Sequence, residues 1–102
     1  MGGSFPQNFI HAVRDAADIV QVVSEYVPLK RSGARYKGRC PFHQEKTPSF
    51  SVDPDQQLFS CFGCQTGGDL FKFVMLYEKL GFPEAVEMLA QRFGIPLPRA
   101  EG

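Results

Sequence analysis

Apolar residues recur at helical spacing at both ends of the chain and break into short β-prone runs between them. After Pro6, which suits the first position of a helix, Phe9, Ile10, Val13, Ala16 and Ala17 follow at helical intervals. Asp18 is a candidate second N-cap before Ile19, Val20, Val22 and Val23. Residues 4–26 therefore read as one bent helix or two short ones, and the β-branched content leaves both open. From residue 26 to residue 62 the pattern changes. Short runs at 26–30, 34–39, 49–52 and 58–62 are separated by Ser32-Gly33, Pro41, Thr47-Pro48 and Asp53-Pro54-Asp55, which predicts a small antiparallel sheet. Beyond Gly67-Gly68, Asp69 can cap a helix whose Leu70, Phe73, Val74 and Tyr77 fall at i, i+3, i+4 and i+7, with Gly81 as its end. Pro83 opens a last helix with Ala85, Val86, Leu89, Ala90 and Phe93 on one face, stopped by Gly94 and Pro96. Phe71, Phe73, Phe82 and Phe93 are expected in the core. The class is α+β, with helices flanking a small sheet.

With 102 residues there is room for one core. The 11 Lys and Arg balance the 11 Asp and Glu, which read as a sum argues against a nucleic-acid partner. Position says otherwise. Lys30, Arg31, Arg35, Lys37, Arg39 and Lys46 stand against Glu45 alone, so residues 30–46 carry a net +5 and the rest carries −5. In an extended strand Arg35, Lys37 and Arg39 point to one side. Tyr36, Phe42, Phe50 and Phe59 lie nearby, and cations interleaved with aromatics on a small sheet are what single-stranded nucleic-acid binding uses. The competing reading is a solvated sheet face with the Phe rings in the core, but same-sign neighbours on one face repel without an anionic partner. Phe42 and Phe62 are as well suited to packing around a neighbouring site as to base contact. No apolar run approaches the ~20 residues of a membrane span. Met1-Gly2-Gly3-Ser4 lacks the pattern of a secretory signal, so a reducing, cytoplasmic compartment is expected.

Three cysteines cannot all pair internally, which excludes a self-contained disulfide framework. All three fall in one pattern with one of the two histidines: Cys40-Pro41-Phe42-His43, then Cys61-Phe62-Gly63-Cys64. Two ligand pairs, each with two residues between, present three thiolates and an imidazole to one tetrahedral ion, and Zn²⁺ suits that donor set. Each pair adjoins a β-prone run, which predicts a zinc ribbon. Four protein ligands leave no open position, so the zinc is structural. Pro41 fixes the entry to the first knuckle, and Gly63 is expected to let the second turn tightly. Unliganded buried thiols, a redox Cys61-x-x-Cys64 pair and an iron site are weaker readings. His11 has no partner at zinc spacing and reads as a surface residue.

The run Gly38-Arg39-Cys40-Pro41-Phe42-His43, then residues 45–52 with Lys46-Thr47-Pro48-Ser49-Phe50, then Phe59-Ser60-Cys61-Phe62-Gly63-Cys64 and Gly67-Gly68-Asp69, resembles the N-terminal zinc-binding domain of bacterial DnaG-type DNA primases. Asp18-Ile19-Val20 and residues 25–30 resemble the same family's approach to the site. The likeness spans residues 6 to 94, and Lys46-Thr47-Pro48-Ser49-Phe50 is not needed to bind zinc. The resemblance implies a zinc ribbon on an antiparallel sheet that helps choose where an RNA primer begins on single-stranded template. It makes Cys40, His43, Cys61 and Cys64 the zinc ligands and places Lys30, Arg35, Lys46, Pro48 and Phe50 on the template-contacting surface. With the residues of the basic segment, the candidate surface is Lys30, Arg35, Lys37, Arg39, Lys46, Pro48, Phe50 and Phe59. It also implies a polymerase domain using Mg²⁺ and a further domain contacting the replicative helicase, both elsewhere in a longer polypeptide.

On this reading residues 1–94 form the zinc-binding domain and 95–102 begin a linker to a polymerase domain absent from these 102 residues. The chain offers no nucleophile, general base or carboxylate cluster spaced for Mg²⁺; Glu84 and Glu87 read as solvated acids. Two rivals remain: a ribbon whose basic face docks on an acidic protein surface, and a structural knuckle without a partner.

Overall fold

A computed structural model describes residues 5–42 and 49–97. The order is α1 (Gln7–Ala16), α2 (Ile19–Ser24), β1 (Lys30–Ser32), β2 (Arg35–Gly38), β3 (Phe50–Asp53), β4 (Leu58–Cys61), β5 (Gly67–Gly68), α3 (Leu70–Glu78) and α4 (Phe82–Arg92). The N-terminal segment is two helices. Pro6 is the N-cap of α1 rather than its first residue, and α2 starts where Asp18 accepts a bond from the Gln21 N–H. The sheet is antiparallel throughout, in the order β1-β2-β3-β4-β5. The first strand covers 30–32 instead of 26–30, because Tyr26 and Val27 close the last turn of α2 through N–H bonds to Val23 O. A two-residue turn follows in which Gly33 takes φ +65 at the first central position, the site where a II′ hairpin demands glycine.

One sheet face is covered by helices and the other is open. Alternation places Val52 and Phe59, and Phe50 and Cys61, toward α3, where they meet Phe73, Leu70 and Val74. The ring of Phe73 lies 5.6 to 6.0 Å from those of Tyr26, Phe50, Phe59 and Tyr77. Gly38 is required by close approach: a Cβ there would stand 2.6 Å from Pro28 O.

Asp69 ties the frame to the sheet. One carboxylate oxygen accepts the Lys72 N–H as the N-cap of α3, and the other pairs with Arg14 of α1 at 2.9 Å. Gln57, just before β4, works similarly at the same end of the sheet. It takes a left-handed φ of 57, accepts the Ile19 N–H and donates to Asp18, fastening the β3–β4 loop to α2. Lys79, at φ 59, ends α3 two residues before Gly81, which becomes the N-cap of α4. The end of α4 is a Schellman motif: Gly94, at φ +73, donates to Gln91 O and Ile95 to Ala90 O. Phe82, expected in the core, is exposed with one edge toward Phe71. Among the described residues no helix is long and apolar enough to cross a membrane.

Candidate metal centre and nucleic-acid interface

The three cysteines gather at one end of the sheet, where Gly38, Phe50 and Cys61 are aligned across β2, β3 and β4. Cys40 lies two residues beyond β2, Cys61 is the last residue of β4, and Cys64 follows in the turn to β5. That turn is closed by the Cys61 N–H bonding to Thr66 O at 2.8 Å, and its left-handed residue is Gln65 (φ 56) rather than Gly63. The three sulfurs lie within 4.8 Å of one another, with Cys40 and Cys64 3.7 Å apart. A tetrahedral zinc with Zn–S bonds of ~2.3 Å separates its sulfurs by about 3.8 Å, which the Cys40–Cys64 pair matches. Cys61 also lies 3.6 Å from Ser49 Oγ, and the Cys64 thiol donates to Thr66 Oγ1 at 3.2 Å. Burial pushes the Cys40 thiol up to about 12, and the neighbouring Cys61 and Cys64 sulfurs add to the rise. A buried thiol such as Cys40 gains its thiolate charge most readily against a bound cation. His43, Lys46 and Pro48 lie outside the described residues.

The open face of the sheet carries the basic side chains. Lys30 is directly opposite Lys37, and the same register row continues through Ser51 and Ser60. Ser32 and Arg35 begin the next row, continued by the Asp53–Leu58 pair. Lys30, Arg35, Lys37 and Arg39 are all exposed. A groove of about 690 Å³ runs along the hairpin, lined by Pro28, Lys30, Lys37 and Arg39 among others. Arg35 is partly engaged by Asp53, 3.7 Å away. Arg31 turns to the other face, over the Tyr36 ring at 5.8 Å, and its Nε donates to Gly33 O.

Two expected site residues are not on this surface. Phe50 is 0% and Phe59 2% exposed, and their rings pack 5.6 Å apart against Phe73, so neither offers a face to a base. Strand alternation sends both to the side that α3 covers. Phe42 is half-buried in the same ring cluster. Phe62 is the reverse case, 73% exposed. The sequence did not separate the two, since each sits between a pair of ligand-spaced residues.

A family profile described as a CHC2 zinc finger matches residues 5–102. The chain belongs to the CHC2 zinc finger family. DNA primase of Pseudomonas aeruginosa is 52% identical over 101 residues, covering 99% of this chain and 15% of the relative. DNA primase of Geobacillus stearothermophilus is 53% identical over 97 residues, 95% of this chain and 16% of the relative. The crystal structure of the Aquifex aeolicus primase zinc-binding and RNA polymerase domains superposes with a TM-score of 0.84 at 49% identity, covering 88% of this chain and 22% of that one. The chain thus spans about one sixth of the length of the curated relatives it matches. The α+β ribbon expected of the family is the fold observed.

Proposed function

We propose that this chain is the zinc-binding domain of a DNA primase, and that it holds single-stranded template and helps select the site where an RNA primer starts. One structural Zn²⁺ is bound by Cys40, His43, Cys61 and Cys64. It pins the end of the β1–β2 hairpin to the end of β4, which keeps the basic face in one orientation. The observation that carries the template reading is the facing pair Lys30 and Lys37 on the sheet surface the helices leave open, with Arg35 and Arg39 beside it. Like charges at such spacing repel, and a phosphate backbone relieves the repulsion while releasing counterions. Lys46 and Pro48 join this surface by their place in the family motif. Nucleotidyl transfer belongs to a polymerase domain with its own Mg²⁺, and helicase contact to another domain of the full-length protein, in the bacterial cytoplasm. Residues 1–94 are the zinc-binding domain and 95–102 the start of the linker.

The test is anisotropy of a labelled single strand titrated with zinc-loaded protein from about 50 to 200 mM salt. Affinity should fall with salt, and Lys37→Glu should weaken binding and lower the salt slope by about one or more. Absence of binding at low salt, or indifference to charge reversal, removes the template reading and leaves docking of the basic face on an acidic protein surface.

A further inference from the structure

We infer that Phe62 is the base-stacking platform of this single-strand site, an assignment that rests on the template reading above. The hydrogen-bond ladder between β3 and β4 runs one step beyond Phe50 and Cys61, with the Phe62 N–H donating to Ser49 O at 3.1 Å. On the neighbouring strand Gly38 faces Phe50, so the next register position is Arg39. Arg39, Ser49 and Phe62 therefore occupy one row, and the outer two are separated by two inter-strand spacings, about 10 Å at the backbone. A ring over a base and a guanidinium on a nearby phosphate fit that span.

Among the described residues, no ring contact or cation–π pair engages the exposed Phe62 ring. Phe50, Phe59, Phe71 and Phe73 are buried, whereas the Phe62 ring stands 73% in solvent. The other exposed large aromatics, Tyr77 and Phe82, belong to α3 and α4, away from the basic strands. The knuckle beneath Phe62 is held by the Cys61 N–H bond to Thr66 O, so little backbone freedom is lost when the ring engages a ligand. Stacking uses the π-face common to every base, so Phe62 contributes affinity without base identity, which must come from other contacts.

The experiment compares two labelled single strands of equal length, one with bases and one abasic, binding to zinc-loaded wild type, Phe62→Ala and Phe62→Trp. Zinc content and far-UV CD check that each variant is folded. Phe62→Ala should lose roughly tenfold on the base-bearing strand, with little change on the abasic strand and an unchanged salt slope. Phe62→Trp should restore affinity. Because the natural chain has no Trp, its emission is a single reporter that the stacked base quenches. If Phe62→Ala binds the base-bearing strand as tightly as wild type while Lys37→Glu weakens it, the strand site stands and the stacking role is overturned. Equal loss on both strands overturns it too, since an abasic strand has nothing to stack. Failure of wild type to bind either strand at low salt defeats the template reading itself, a different result from both.

Discussion

The β1–β2 hairpin and the β3–β4 pair are neighbours in one sheet but are held in different ways. Phe50, Val52, Phe59 and Cys61 bury one side of the central pair, and its loop is fastened to α2 through Gln57. The hairpin contributes no fully buried large side chain. Strand β1 is exposed along its length, and the pair is held by its ladder, a II′ turn and the approach of Gly38 to Pro28. The lesson is a division of labour. Positive charge accumulates on strands with no apolar surface to bury, since charged side chains there keep their hydration. The price is weak anchoring, and Cys40, just past β2, is where the proposed zinc would tie the hairpin to the centre.

Metal removal should separate the two regions most. Apparent zinc-binding energies of ~10–16 kcal/mol in finger peptides match or exceed the whole stability of a small domain. On chelation, amide exchange over 30–38 should rise before that of α3 and before the near-UV CD of the ring cluster is lost. Equal protection of hairpin and centre without zinc would break the comparison.

Phe73→Ala attacks the centre. It leaves a cavity among Tyr26, Phe50, Phe59 and Tyr77 and should cost about 3–5 kcal/mol in denaturant unfolding of the zinc-loaded chain. Gly38→Ala attacks the hairpin, since its Cβ meets Pro28 O and forces a backbone shift worth about 1–3 kcal/mol. If Gly38→Ala costs more than Phe73→Ala, the hairpin depends on packing at least as much as the centre does.

The smallest effect sits on the helical side. Tyr26 donates to Glu78, and burial together with that carboxylate raises its pKa from 10.0 to about 12. The folded state favours the neutral phenol, so its contribution is complete below pH 10 and fades as pH climbs from 10 through 12. Thermal unfolding at pH 9 and pH 11 should show a larger alkaline loss for wild type than for Tyr26→Phe, with hairpin exchange unaffected.

Much of this was legible beforehand because it depends on local chemistry. Asp18 and Asp69 cap helices wherever those helices pack, and the 3.6-residue periodicity of Leu70, Phe73 and Val74 marks one face without reference to a partner. The paired spacing of the cysteines brings three thiols together because short knuckles close at the aligned ends of β2 and β4, on either side of β3. Helix ends were harder. Lys79 rather than Gly81 terminates α3, because a left-handed residue need not be glycine where the turn closes well. Gln57 gave no sign of its role, since its bonds to Asp18 and Ile19 span residues 38 and 39 apart in the chain.

By itself the sequence determined the α+β order, the ligand-spaced cysteines and the concentration of charge between Lys30 and Lys46. Only the tertiary structure decided which aromatic rings face water. The pleat requires neighbours on a strand to face opposite ways, but it does not say which side is covered. Placing α3 against Phe50 and Phe59 withdrew those two from the basic surface, left Lys30 and Lys37 on it, and left Phe62 exposed at its end.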